Sequence, residues 1–218
     1  MKKHSIGNDI VALDAINNVR TCQPRFYSKF LIPEELRLFE RPGFSLSREN
    51  FTWLCWSIKE SVYKFCQQLQ PQMAFAAGKI HIREINAPLN PQALQTWNDV
   101  FESNTINAGD CFTSLVVIGS SSFYSYSFIT EHFIYTITAN KQHSNQVYWG
   151  IKKIKSTDPA SQSIEVRRFT AQKLAQALNT DTVEFVKITG GIPQIRQYPH
   201  VPVSFSHHDK YVAYAFLA

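Results

Sequence analysis

The sequence predicts an α+β fold of two similar half-domains, each an antiparallel sheet packed with a long helix. The chain has 218 residues, 44% of them hydrophobic and 18% charged, which is enough to bury a sizeable core. Apolar residues recur at spacings of three and four over 47–69, which indicates a long amphipathic helix. The order strand, helix, strand, hairpin then occurs a second time. We therefore expect a boundary near residue 130, with 1–130 in the first half-domain and 131–218 in the second.

The first half contains the clearest local patterns. Pro33 suits the first turn of a short helix, and the acidic residues after it suit the positive end of that helix. Alternating apolar residues over 79–85 indicate a strand, and the turn at 119–122 between two apolar runs indicates a hairpin. The predicted strands are 5–13, 79–85, 112–118 and 123–129, and the predicted helices are 32–40 and 47–69.

The second half repeats this order with weaker patterns. Its helix has a less continuous apolar face, and Gly190 and Gly191 turn the chain after the strand that follows. The predicted strands are 133–138, 147–154 and 183–189, the predicted helix is 162–178, and a hairpin is predicted over 202–217.

Composition and charge exclude several classes of protein. No apolar run reaches the roughly 18 residues of a membrane-spanning helix, and the N-terminus has no apolar stretch of signal-peptide length. The four cysteines are too few for a disulfide scaffold, which favours a reducing cytoplasm. The net charge of +5 favours an anionic partner. Because the basic residues occur only in short pairs, we expect a cytoplasmic protein that binds neither membrane nor nucleic acid.

Three clusters of residues could carry chemistry. Asp9 lies on the first predicted strand and Glu60 on the long helix. An acid on a strand that faces an acid on a helix is a common way to hold a hard cation such as magnesium. Lys64 lies one helical turn beyond Glu60. The clusters are Gly7–Asp9, Trp56–Lys64 and Ser204–His207.

Each of these residues also has an ordinary structural interpretation. Asp9 could cap the end of its strand, and Glu60 with Lys64 could form a surface ion pair worth roughly a few tenths of a kcal/mol. His207 could be a solvated hairpin residue. In combination they favour phosphate chemistry, in which Lys59 and Lys64 neutralise phosphate oxygens and His207 donates a hydrogen bond to another phosphate.

In this order the three clusters resemble the 4′-phosphopantetheinyl transferase superfamily, which is marked by G-x-D, W-x-x-K-E-[AS]-x-x-K and S-x-S-H. Residues 25–35 are also similar to its R-F-x-x-[RK]-x-L-T-x-x-E stretch. The second motif is specific. The first and third are common short strings, and they support the resemblance only together with the second motif and in this order.

The resemblance implies the fold of this superfamily and a holo-acyl-carrier-protein synthase activity. Phosphopantetheine would pass from coenzyme A to a serine of an acyl or peptidyl carrier protein, in fatty-acid, polyketide or peptide synthesis, with magnesium on the pyrophosphate. By the resemblance Asp9 and Glu60 would be metal ligands. Glu60, or a water held by the metal, would take the serine proton, and Lys64 would stabilise the developing charge.

The remaining site residues also follow from the resemblance. Arg25, Lys59, Ser206 and His207 would bind coenzyme A, with His207 at its 3′-phosphate, and Trp56 would pack beneath the helix. One site per chain would lie between the halves of a pseudo-dimeric monomer.

The chain departs from the superfamily at one site position. Ile192 stands where members often have the lysine of a G-K-P run. Loss of that phosphate contact favours an alternative function, a binding module for coenzyme A or a carrier protein without turnover. Retention of Asp9, Glu60 and Lys64 favours the enzyme.

Overall fold

The fold is α+β, with antiparallel sheets and helices, as the sequence predicts. A computed structural model describes residues 4–41, 44–90, 98–139 and 146–218. The helices are α1 Asn18–Thr21, α2 Pro24–Tyr27, α3 Pro33–Phe39, α4 Arg48–Leu69 and α5 Pro159–Leu178. The strands are β1 Ile6–Ala12, β2 His81–Asn86, β3 Val100–Ser103, β4 Phe112–Ile118, β5 Ser121–Ile129, β6 Phe133–Ala139, β7 Val147–Lys153, β8 Phe185–Lys187, β9 Pro193–Ile195, β10 Val203–His208 and β11 Tyr211–Leu217.

The strands form three sheets with antiparallel pairing throughout. The first sheet has the order β1-β6-β5-β4-β2, the second has the order β10-β11-β7-β3, and β8 pairs with β9. The first strand of the first sheet thus pairs with its last strand in sequence, β6. In the second sheet the last strand, β11, pairs with β7, and the first strand, β3, pairs with the other edge of β7.

The buried residues divide into three apolar clusters that define the layers. One cluster lies between the two large sheets and contains Trp149, stacked on Phe128 with ring centroids 4.6 Å apart. A second joins α4 to the other face of the first sheet, and a third joins α5 to the second sheet. The order of layers is therefore α4, first sheet, second sheet, α5. No helix in the described ranges is long and apolar enough to span a bilayer.

Helix boundaries follow from their caps. Ser47 precedes α4 and accepts a hydrogen bond from the backbone N–H of Asn50 at 3.1 Å, which satisfies a free amide of the first turn. The second long helix begins at Pro159, earlier than the predicted start at 162, because Asp158 caps it by accepting from the N–H of Ser161 at 2.8 Å.

The sheets do not divide at residue 130. Strand β6 follows that residue but lies in the first sheet, and β3 precedes it but pairs with β7 in the second sheet. The proposed boundary near residue 130 stays a prediction. Every strand up to β6 except β3 belongs to the first sheet, and β3 belongs to the second.

Candidate active site

Strand β1 and helix α4 bring three predicted site residues together. Helix α4 crosses β1 at Gly7, where a Cβ atom would lie 1.9 Å from the carbonyl oxygen of Ser61. The glycine of the first motif is therefore required by packing. Side chains alternate along a strand, so Asp9 lies on the same helix-facing side as Gly7. Lys64 Nζ donates a hydrogen bond to Asp9 Oδ1 at 3.1 Å.

Burial raises the pKa values of both carboxyl groups. Desolvation, and next the nearby charge of Asp9, raise the pKa of Glu60 to about 7, while Lys64 opposes the rise. Burial likewise raises the pKa of Asp9, and Lys64 and the Ser57 hydroxyl lower it in part. The Oδ2 atom of Asp9 is buried and has no hydrogen-bond partner in the described part of the chain. Lys64 thus offsets only part of the cost of burying the two carboxyl groups.

The two carboxyl groups fit a hard divalent cation. Magnesium prefers oxygen ligands and is commonly held by one or two protein carboxylates, with water and substrate phosphates filling the other positions. Asp9 Oδ2 is an unused oxygen donor beside a second carboxyl group. The described residues contain no group of three or more histidine, cysteine and acidic side chains able to bind a metal. Asp9 and Glu60 are thus two carboxylates that would fit magnesium if water and substrate oxygens completed its coordination.

The third motif lies directly against the first. Strand β10 packs beside β1, and Asn8, the middle residue of G-x-D, joins them. Its backbone N–H donates to Ser204 Oγ at 3.0 Å, and its side-chain Nδ2 donates to Ser206 Oγ at 2.9 Å. Sequence reasoning treated Asn8 as a spacer; no local pattern shows a contact with residues near the other end of the chain.

The two histidines that end β10 differ in environment. His207 is exposed, and partial desolvation together with the charge of Lys64 lowers the pKa of its imidazole. His208 Nδ1 accepts a hydrogen bond from the backbone N–H of Ala12 at 3.1 Å, which adds a second link between β1 and β10. Ser204, Ser206 and His208 face β1, so the exposed side chain of His207 lies on the other side of β10, where the charges of Lys64 and Asp9 still influence its pKa.

A comparison with known protein families identifies the superfamily to which part of this chain is related. Residues 5–104 match the family model described as the 4′-phosphopantetheinyl transferase superfamily. This segment belongs to that superfamily. The superfamily comprises transferases of the phosphopantetheine-transferring kind, which act on carrier proteins with coenzyme A, and the matched segment contains Asp9, Glu60 and Lys64. No curated protein and no solved structure matches the chain significantly.

Within the superfamily segment, Lys59 does not join the site. It is fully buried, and its Nζ donates to Glu35 Oε2 at 2.8 Å, to the Phe30 carbonyl at 2.7 Å and to the Ala77 carbonyl at 3.1 Å. All three ammonium N–H groups are used, so the structure does not support the predicted contact of Lys59 with coenzyme A.

Glu35 completes this buried structural unit. Its Oε2 also accepts from the N–H of Ile32 at 3.0 Å, and its Oε1 accepts from the N–H of Ile82 at 2.9 Å. The glutamate of the R-F-x-x-[RK]-x-L-T-x-x-E stretch and the first lysine of W-x-x-K-E thus hold α3, α4 and β2 together. The role of Glu35 was missed, although its presence in a motif was a signal.

Arg25 lies exposed on α2, beside an aromatic groove of about 500 Å³. No contact between Arg25 and the carboxylate cluster occurs in the described residues, so its predicted binding of coenzyme A stays a prediction. Trp56 packs as predicted, with its ring centroid 5.1 Å from that of Phe30 and 5.6 Å from that of Phe75. The groove is lined by Phe26, Lys29, Phe30, Trp53, Trp56, Phe75 and Ala77.

A small cavity opens beside Lys64. Its volume is about 150 Å³, and its wall includes the 191–193 turn and Ser204. Gln68 and Ile192 also line a neighbouring cavity of about 320 Å³. Ile192 is 5% exposed, so the turn presents an apolar side chain where related chains often have a lysine.

Proposed function

We propose that the protein transfers 4′-phosphopantetheine from coenzyme A to a serine of an acyl or peptidyl carrier protein, with magnesium as the metal. The observation that carries the proposal is the meeting of Asp9, Glu60 and Lys64 beside the strand that carries His207. Two acids, a cation and an open histidine fit a pyrophosphate and a further phosphate group better than an uncharged substrate.

Asp9 and Glu60 would hold the magnesium ion. When bound, it would neutralise charge on the pyrophosphate of coenzyme A. This binding would also offset the burial that raises the pKa values of both carboxyl groups, and the nearby charge of Asp9 that adds to the rise at Glu60.

The residues of the chain would carry the proton and the developing charge. The serine oxygen of the carrier attacks the phosphorus that bears the pantetheine arm, and the bond from that phosphorus to the bridging oxygen breaks. Glu60 takes the serine proton, since its pKa of about 7 suits a base at neutral pH. Lys64 donates hydrogen bonds to the phosphate oxygens as charge moves to the departing adenosine 3′,5′-bisphosphate.

His207 would contact the 3′-phosphate of the nucleotide. Its ring is exposed next to Lys64, whereas Ser206 is buried and accepts a hydrogen bond from Asn8. We propose that Ser206 fixes the position of β10, the strand that carries His207. Ser206 would then contribute to coenzyme A binding mainly by positioning that strand.

The aromatic groove on α2 and α4 supports an acidic carrier as the partner. Lys29 lines the groove, Arg25 precedes the groove residue Phe26 in the chain, and the Arg20 guanidinium lies 5.3 Å from the ring centroid of Phe26. No acidic residue occurs between Asp14 and Glu34. An apolar groove beside three cations suits a helix with an apolar face and acidic edges.

We further propose a pseudo-twofold chain that forms one complete site at the junction of its halves. The matching pairs β1 with β6 and β7 with β11, each accompanied by a long helix, support this arrangement. All four cysteines are unpaired, which supports a cytoplasmic protein, and fatty-acid biosynthesis is one process that such a reaction would serve.

The test combines the protein with coenzyme A, magnesium and several apo carrier proteins, and follows the intact mass of each carrier. We expect a gain of one phosphopantetheine group that is absent without metal and with Glu60→Ala. Coenzyme A binding without any mass gain would instead support the binding module that Ile192 suggests. Absence of both binding and transfer would contradict the proposal.

A further inference from the structure

Ser57 differs from the other buried hydroxyl residues of the long helices. A buried serine or threonine in a helix commonly bonds back to a carbonyl one turn earlier. Thr52 donates to the Arg48 carbonyl at 2.8 Å, Ser61 to the Ile58 carbonyl at 2.9 Å, and Thr170 to the Val166 carbonyl at 2.6 Å. Ser57 is fully buried, yet its Oγ has no hydrogen-bond partner in the described residues. The Ser57 hydroxyl is therefore available to donate a hydrogen bond.

The position of Ser57 on α4 directs it toward the candidate site. Residues three and four apart on a helix share a face, and Ser57, Glu60 and Lys64 follow one another at those spacings. Lys64 on this face already contacts Asp9. The Ser57 hydroxyl also lowers the pKa of the Asp9 carboxyl group, against the larger effect of burial.

Asp9 supplies the matching acceptor. Its Oδ1 receives the hydrogen bond from Lys64, but its Oδ2 is buried without a partner. A buried donor and a buried acceptor on two elements that pack together each incur a desolvation penalty when left unpaired. A small rotation of the serine hydroxyl, or one shared water, would satisfy both.

From these contacts we infer that Ser57 is a positioning residue that holds the Asp9 carboxylate in the orientation required for metal binding. Lys64 would hold Oδ1 of this carboxylate and Ser57 would hold Oδ2, whose second lone pair stays available to the metal, so that the plane of the group cannot turn. The inference rests on the proposed function, because it assigns Asp9 to the metal. Groups that orient a metal ligand typically change metal affinity by about 10–100-fold when they are removed.

Metal binding tests this inference without any transfer reaction. Mn²⁺ serves as a probe, because it also prefers carboxylate ligands, and electron paramagnetic resonance measures the free ion. We expect Ser57→Ala to weaken Mn²⁺ binding about tenfold or more. Ser57→Cys, which keeps a weak donor, is expected to give an intermediate dissociation constant. Ser61→Ala is the matched control, since it removes a buried hydroxyl from the same helix face but one that bonds to Ile58 and Thr138.

The outcomes separate this inference from the proposed function. Equal Mn²⁺ affinity of Ser57→Ala and the unchanged protein overturns the role of Ser57 alone, as does an equal loss in Ser61→Ala. If Ser57→Ala does not fold, the cysteine variant decides in the same way. If the unchanged protein binds no Mn²⁺, the metal in the proposed function fails, and the positioning role fails with it.

Discussion

Replacing the candidate base by its neutral isostere should stabilise the protein in alkaline solution. Glu60 ionises in its ordinary way in the unfolded chain, with a pKa near 4.5, whereas burial and Asp9 raise its pKa in the folded protein to about 7. Between these two values the folded state retains a proton that the unfolded state has lost. The free energy of unfolding therefore falls as pH rises through this window.

The difference between the two pKa values corresponds to about 3 kcal/mol. Since Glu60 is only partly buried, we expect roughly 2–3 kcal/mol of it to be measurable. The Glu60→Gln variant has no such penalty. Its free energy of unfolding relative to the unchanged protein should therefore be greater by this amount at pH 8 than at pH 4.5.

Urea denaturation in EDTA at the two pH values measures this difference. Glu84→Gln, which neutralises an exposed carboxylate on β2, should show no comparable change between them. A Glu60→Gln variant with the same relative stability at both pH values would refute the reasoning. The stabilised variant should also lack transferase activity, because the charge that destabilises the fold is the one proposed for catalysis.

Three further outcomes follow from the structure. Lys59→Met should lower the free energy of unfolding by about 3–5 kcal/mol in urea titration, because it leaves the buried carboxylate of its partner unpaired; a loss below 1 kcal/mol would contradict this. Gly7→Ala should give little or no folded protein by circular dichroism, since the added Cβ would clash with the Ser61 carbonyl. Gly78→Ala is the control and should fold normally, because nothing lies within 4 Å of its added Cβ. Magnesium at a hundred times its dissociation constant should add about 2.7 kcal/mol to the free energy of unfolding of the unchanged protein. The gain should be much smaller for Asp9→Asn, and equal gains would argue against Asp9 as a magnesium ligand.

The main helix and most strands could be predicted from local patterns. Spacings of three and four defined α4, and its cap at Ser47 fixed the start. Strand β3 was missed because it is short and half exposed, and its pairing with β7 depends on a partner far along the chain.

The site was predictable only where local spacing decides it. Glu60 and Lys64 share a helix face, so their proximity followed from the sequence, and the motif order led to Asp9. The same motif suggested a phosphate contact for Lys59, but a helix turns about 100° per residue and directs adjacent side chains to different sides. Lys59 lies four residues after buried Cys55, a sign of the core face, although the sequence could not show that Glu35 would meet it there.

The hydrogen bond from Asn8 to Ser204 joins residues 196 positions apart. Contacts of such long sequence separation form late, because loop closure must come before any gain from them. A chain still emerging from the ribosome without β10 would contain both acids and the lysine but not the strand that carries His207. By the proposed function, only chains that have completed folding would bind coenzyme A. Nascent chains would leave the coenzyme A in solution unbound.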